Sequence, residues 1–188
     1  MDLAYRSSLA RRLRAVHGLY RDALVTMDLA HVNHVERDGV LPIAFSLVHQ
    51  ALIEDVSLSF IGGPPPQFSD EWAGRIGLAI ADHGKSRTVA EMLDQRIGDL
   101  EQFALFQGLV FAATEEYVAG VDPASLDEVL VSAPYGPGLA NTFSARVGGD
   151  AGITRSDALE CWIYQHALRH LGEIEHARAL VGLGGMTS

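Results

Sequence analysis

Apolar residues recur at steps of three and four positions in four long segments of the chain, which is the spacing of amphipathic helices. The segments cover residues 3–27, 42–62, 86–118 and 154 to about 182–185. The one stretch that we expect to be extended is short, at 129–131. The pattern therefore predicts an all-α protein, specifically a four-helix bundle with long connections.

The same spacing predicts which face of each helix points to the core. In the first helix the inward positions are Leu9, Leu13, Val16, Tyr20, Ala23 or Leu24, and Met27; in the second they are Phe45, Val48, Leu52 and Val56. In the third helix they are Val89, Leu93, Ile97, Leu100, Ala104, Phe111 and Val118; in the fourth they are Leu159, Trp162, Ile163, Ile174, Ala177 and Val181.

Proline and capping residues mark where these helices begin and end. Pro42 suits the first turn of the second helix, and the Gly-Gly-Pro-Pro-Pro run at 62–66 cannot continue it. Thr154-Arg155-Ser156-Asp157 resembles a capping box that opens the fourth helix, with Asp in place of the usual Glu or Gln.

The connections between the helices are unusually long. Residues 28–41 are predicted to be a loop, and 68–84 to hold a short helix. Residues 120–153 are predicted to leave the bundle, with a helical turn after Asp122 and Pro123. The glycine-rich stretch 147–152 lacks a phosphate-binding pattern, so we interpret it as part of an excursion over one end of the bundle or over a neighbouring subunit.

Composition narrows the function classes. A length of 188 residues favours a single domain over 1–188. The chain is 48% hydrophobic and 20% charged, which is ordinary for a globular protein. A formal net charge of −10 argues against nucleic-acid binding, and the arginines at 6, 11, 12 and 14 are interpreted as a solvated helix face. The sole cysteine, Cys161, is interpreted as a small apolar residue that is buried or half-buried. Without a membrane span or signal peptide in the pattern, we expect a cytoplasmic protein.

Two histidines in the fourth helix carry the most specific signal. His166 and His170 lie four positions apart, so they differ by only about 40° around the helix axis and point in the same direction. Both lie on the apolar stripe of that helix. His49 lies on the stripe of the second helix and would be a third inward imidazole. Three histidines that leave coordination positions open are typical of a catalytic site for Zn²⁺, Ni²⁺ or Fe²⁺.

Other metal patterns fit less well. Ala167 stands where the H-E-x-x-H motif needs glutamate, and Glu-x-x-His occurs only once, at Glu173. Glu173 is better placed to accept a hydrogen bond from an imidazole, although a surface carboxylate is an equal alternative. The histidines at 31 and 34 are assigned to a connection, and His17 is expected to be either packed or at the solvent edge.

The residues around the histidines give no single acid or base. Glu54, Asp55, Tyr164 and Glu173 are all within the relevant helices, and no spacing favours one, so no catalytic residue is assigned. Trp72 and His83, in a long connection, could border a site, although surface packing is the simpler interpretation.

The order of these motifs resembles the DinB/YfiT-like superfamily. The resemblance rests on residues 41–49, which end in His49, on His166-x-x-x-His170-x-Gly172-x-Ile174, and on the helix end at 179–185. Leu171 departs from the pattern, because many members carry arginine there. The resemblance implies an up-down-down-up four-helix bundle, frequently a homodimer, with a three-histidine divalent metal site. Some members are thiol-dependent transferases or isomerases that use glutathione, mycothiol or bacillithiol.

Two hypotheses follow. The first is a metal-dependent enzyme in which His49, His166 and His170 hold the ion and activate a low-molecular-weight thiol or a water. The second is a non-catalytic binding or dimerisation module in which the same histidines are core residues. Metal analysis of the purified protein separates them.

Overall fold

The computed structural model describes residues 3–186, and most of them lie in helices. The helices are α1 (Leu3–Val25), α2 (Leu29–Val32), α3 (Ile43–Ile61), α4 (Asp70–Ile76), α5 (Val89–Met92), α6 (Leu100–Gly120), α7 (Phe143–Gly148), α8 (Arg155–Ala158) and α9 (Gln165–Leu180). The strands are β1 (Val129–Val131) and β2 (Ile153–Thr154). The prediction of a mainly helical protein is confirmed.

The long helices pack around a shared core. Helix α3 lies against α6 and α9, and α1 lies against the same two helices. One buried cluster joins Tyr20, Leu47, Phe106 and Ile174 from these four helices. A second cluster lies towards the start of α1 and contains Leu13, Leu58, Val118 and Leu159. All the inward positions predicted for the first helix are buried.

Helix α3 is the most enclosed of the four. It is also the one helix within residues 3–186 that is long and apolar enough to cross a membrane. In its most apolar window, 67% of the residues are buried inside the fold, as expected for the core helix of a soluble protein. The prediction was wrong for Val56, which is 43% exposed, whereas Leu58 and Ile61 are buried.

The third predicted helix was wrong over its first part. Of residues 86–99, only Val89–Met92 is helical, and α6 begins after Asp99, whose side chain accepts a hydrogen bond from the Gln102 N–H. Buried Gln95 explains the break, because its amide pairs with both the N–H and the C=O of Ile80. This contact holds the chain in a loop. The core face of α6 is also shifted, so that Phe103 is buried and Ala104 is exposed.

The fourth predicted helix forms as one helical run over residues 155–180. Thr154 caps it, accepting a hydrogen bond from the Asp157 N–H while the Asp157 carboxylate accepts one from the Thr154 N–H. A π-helical turn, Leu159–Tyr164, separates α8 from α9. Gly182, with φ of 82°, follows the end of the helix, in the left-handed conformation that favours glycine.

The excursion after α6 contains the small sheet. Strand β1 pairs antiparallel with β2, with Val129 opposite Thr154 and Val131 opposite Ile153. The extended segment predicted at 129–131 is therefore confirmed. Ile153 and Leu126 add to the second core cluster, so this segment packs against one end of the long helices. The short helix predicted within 68–84 is also present, as α4.

A charged cluster lies between α1, α3 and α6. His17 is fully buried, and its ring stacks on Phe111 at 3.8 Å between centroids. Its Nδ1 is hydrogen-bonded to a Glu115 oxygen at 2.8 Å, and its Nε2 lies 3.2 Å from a Glu54 oxygen, an ion-pair distance without hydrogen-bond geometry. An imidazole that faces a carboxylate with each nitrogen is best satisfied as the doubly protonated cation. Burial lowers the His17 pKa, but the two carboxylates outweigh it and the net pKa is raised.

This raised pKa makes stability depend on pH. A histidine that binds its proton more tightly in the folded protein than in the unfolded chain stabilises the folded state. This stabilisation is fully present below the pKa of histidine in the unfolded chain, about 6.5. The contribution disappears as pH rises through the higher folded-state pKa of His17. We expect His17→Gln to cost about 1.5–3 kcal/mol at pH 6, and the cost to shrink steadily at alkaline pH. Urea unfolding of both proteins from pH 6 to pH 9 measures it, and a difference independent of pH would contradict it.

Candidate metal centre

Three histidines predicted as ligands lie together between α3 and α9. His49 comes from α3, and His166 and His170 come from successive turns of α9. One ligand nitrogen of each ring lies within 4.8 Å of those of the other two, and within residues 3–186 no other group of three His, Cys, Asp or Glu meets this criterion. His166 and His170 are buried, and His49 is half-buried. Helical periodicity explains the juxtaposition, since it aims His166 and His170 at the same face of α3.

Two of the three rings, those of His49 and His170, donate a hydrogen bond through Nδ1. His49 Nδ1 donates to the backbone carbonyl of His83. His170 Nδ1 donates to Glu173 Oε2 at 2.6 Å, and the Ser46 hydroxyl donates to the same oxygen at 3.1 Å. With Nδ1 protonated, each neutral ring presents its Nε2 lone pair to the others. Metal-binding histidines characteristically have this arrangement.

Burial disfavours the charged form of His49 and His166. Burial lowers the pKa of His49 to about 4 and that of His166 to about 2. Burial alone would raise the pKa of Glu173, but the hydrogen bonds from His170 and Ser46 help to hold it below its ordinary value. His49 and His166 are therefore neutral at pH 7, and a divalent ion binds histidine only in its neutral form.

The distance between the facing nitrogens also fits a metal ion. Nε2 of His166 and Nε2 of His170 are 3.2 Å apart. Two nitrogens bound tetrahedrally to zinc, at about 2.0–2.1 Å each, would be about 3.3 Å apart. His166 Nδ1 is buried without a hydrogen-bond partner in this structure. The donor set and its spacing thus suit Zn²⁺, Ni²⁺ or Fe²⁺.

The histidines open onto a large cleft. Its volume is about 860 Å³, and His49 and His166 form part of its wall. Phe60, Trp162 and Phe143 line it as well, and the last of these comes from the excursion between α6 and α8. A space of this size matches those that enclose small molecules. The excursion therefore forms part of the wall of the cleft, a role that the sequence did not indicate.

Charged and reactive groups on the cleft wall differ in what they can do. Cys161 lines the cleft, but burial, followed by Asp157 and Glu160, raises its pKa to about 11. It is therefore a thiol at neutral pH and a poor nucleophile. Lys85 and Arg169 line the cleft next to the histidines, and their charges add to the effect of burial in lowering the pKa of His166.

Of the other histidines, His17, His31 and His34 lie outside the centre and pair with nearby carboxylates. His31 lies in α2 and forms a capping box with Asp28, and His34 pairs with Glu36 at 3.0 Å. His17 is packed, as expected. His83 does border the site, through its backbone carbonyl and as part of the cleft wall.

Most of the other residues that the sequence suggested for the site do not contact the histidine centre. Trp72 packs against Phe106, away from the cleft. Asp55 accepts hydrogen bonds from the backbone of Gln67 and Phe68, and Tyr164 packs under the Arg12 guanidinium. Of the four side chains considered as bases, only Glu173 touches a histidine of the centre.

Sequence reasoning missed most of the cleft. Phe60, Lys85, Phe143 and Arg169 all line it. Arg169 directly precedes His170 in the sequence, and this proximity to a predicted ligand was the one signal that could have placed a residue in the cleft. Nothing local to the sequence indicates that Phe143, in a distant connection, reaches the same space.

Comparison with solved structures shows a shared fold. The chain is similar to the conserved protein of a locus from Enterococcus faecalis, known from a crystal structure, with a TM-score of 0.74 and 17% sequence identity. The match covers 96% of this chain and 98% of that chain. No protein-family model matches the sequence, and no curated protein matches it. At this identity the similarity concerns the fold alone.

Proposed function

We propose that this protein is a divalent-metal-dependent enzyme whose centre is formed by His49, His166 and His170. The observation that carries the proposal is the convergence of three imidazoles, two of which, His49 and His166, line a cleft of about 860 Å³. We further propose that it is a DinB/YfiT-like protein with up-down-down-up helix order, and a cytoplasmic homodimer. The family, the helix order and the homodimer rest on the sequence resemblance, and the cytoplasmic location rests on the hydropathy pattern of the sequence.

The chemistry we propose is transfer of a low-molecular-weight thiol, or of water, onto an electrophile. A bound divalent ion would lower the pKa of a thiol or water by several units, which makes a nucleophile available at neutral pH. Glu173 holds His170 in the tautomer that presents Nε2, and the His83 carbonyl does the same for His49.

The alternative is a non-catalytic binding or dimerisation module. It is favoured by one observation, the two exposed leucines Leu105 and Leu109 on the outer face of α6. Exposed apolar side chains on one helix face are common at contacts between subunits.

Metal content and thiol consumption together test the proposal. Protein purified without a histidine tag should contain about one equivalent of Zn, Ni or Fe by mass spectrometry. The loaded protein should consume glutathione, mycothiol or bacillithiol in the presence of an electrophilic acceptor, and the chelated protein should not. A protein that neither retains nor takes up any of these metals would refute the enzyme and support the module.

The hydrogen bond between His170 and Glu173 gives a more specific prediction. We expect Glu173→Ala to weaken Zn²⁺ affinity by about 10–100-fold, since carboxylates that orient a ligating imidazole typically contribute this much. Glu173→Gln should weaken it less, because the amide oxygen still accepts from Nδ1 although the charge is lost. Competition with a chromophoric chelator measures both. Equal affinity in Glu173→Ala and the natural protein would show that the contact does not support the metal.

A further inference from the structure

The cleft beside the histidines has two chemically different parts. Lys85 and Arg169 share the wall with His166, so positive charge lies next to the centre. Phe60, Trp162 and Phe143 form an aromatic part of the same wall. No aspartate or glutamate from residues 3–186 lines the cleft.

The two cations have no acidic partner of their own. Both side chains are exposed, and no hydrogen bond or ion pair joins either of them to a carboxylate within the described chain. The nearest acidic group along α9 is Glu173, whose Oε2 already accepts hydrogen bonds from His170 and Ser46. This matters in a chain with a formal net charge of −10, where most cations could find acidic neighbours. The charge of Arg169 helps to lower the Glu173 pKa, but neither cation donates a hydrogen bond to a carboxylate of the described chain, so both can donate to an anion in the cleft.

The aromatic part of the wall is largely exposed. Phe60 is 62% exposed and Phe143 is 55% exposed, although both are large and apolar. Phe60 stacks edge-to-face on Trp162 with 5.6 Å between ring centroids, so the two rings form a continuous apolar surface. Val56, also exposed, extends that surface along α3. Exposed apolar side chains that border a cleft are typical of a site whose ligand covers them.

We propose that the cleft binds a small amphipathic anion, with its negative group at Lys85 and Arg169 and its apolar body on Phe60, Trp162 and Phe143. The volume of about 860 Å³ accommodates such a molecule and excludes a folded partner. That this ligand is the substrate rests on the proposed function; that it binds does not. Charge complementarity next to the centre selects the anion over neutral or cationic analogues.

Three probes of equal chain length test the selectivity: octanoate, 1-octanol and octyltrimethylammonium. Calorimetry with zinc-treated and metal-free protein should show octanoate bound at least tenfold more tightly than octanol, and the cation not bound. The double variant Lys85→Gln, Arg169→Gln should lose at least tenfold in octanoate affinity in both preparations. Phe60→Ala should weaken octanoate and octanol alike. Arg14→Gln, which removes an exposed cation from α1, is the control and should bind as the natural protein does.

The outcomes separate this inference from the proposed function. Octanol bound as tightly as octanoate, or a double variant that binds like the Arg14→Gln control, overturns the anion site whatever the metal content. A protein that binds no metal but selects octanoate through Lys85 and Arg169 keeps the anion site and refutes the metalloenzyme. If sedimentation shows that Phe60→Ala dissociates a dimer and octanoate does not bind, the aromatic surface is a subunit contact and the inference fails.

Discussion

His170→Ala should lower the affinity for Zn²⁺ by about 100–1,000-fold and abolish the retention of metal during purification. Four-ligand zinc sites bind with apparent free energies of about 10–16 kcal/mol, or roughly 2.5–4 kcal/mol for each ligand. His166→Ala should have the same effect. Both imidazoles are buried and their Nε2 atoms are 3.2 Å apart, so no other side chain can replace either one without rebuilding the centre.

Two controls make this result specific. His176→Ala removes an exposed histidine from the same helix and should leave metal affinity unchanged. His83→Ala should also retain most of the affinity, because His83 touches His49 through its backbone carbonyl and not through its ring. Zinc should raise the unfolding temperature of the natural protein and of both controls, since it binds only the folded state. Equal zinc stabilisation of His170→Ala would place the ion elsewhere in the chain.

Phe111→Ala should destabilise the fold by about 3–5 kcal/mol, the usual cost of truncating a fully buried phenylalanine. Phe111 has no exposed surface, stacks on His17 at 3.8 Å and meets Tyr20 edge-to-face at 5.8 Å. Its loss would leave a cavity between α1 and α6 and remove an aromatic face from a buried charged ring. This is a large share of the 5–15 kcal/mol that typically holds a domain together.

Urea unfolding measures this effect against a matched control on the same helix. Leu105 is 51% exposed, so Leu105→Ala should change the free energy of unfolding by less than about 1 kcal/mol. Both variants keep the helix propensity of α6, because alanine is the best helix former. Similar destabilisation by the two substitutions would mean that the outer face of α6 is covered, as it would be in a dimer.

Local periodicity in the sequence predicted some parts of the fold well. The whole inward face of α1 and the capping box at Thr154 are as predicted, because both depend on residues within one or two turns of each other. Periodicity failed at 86–99, where buried Gln95 holds a loop by pairing with Ile80, fifteen residues away. It also placed Val56 in the core, although that residue lies on the cleft wall.

For the histidine centre and its cleft too, some features were predictable from the sequence and others were not. The sequence alone predicted a mainly helical protein and the inward direction of the three histidine side chains. Both follow from spacing along a helix, which sets the direction in which each side chain points. Only the tertiary structure decided that the His83 carbonyl orients His49, and that Phe143 lies in the same cleft as Lys85 and Arg169. These contacts join segments far apart in the chain, and long-range packing of loops leaves no periodic trace in the sequence.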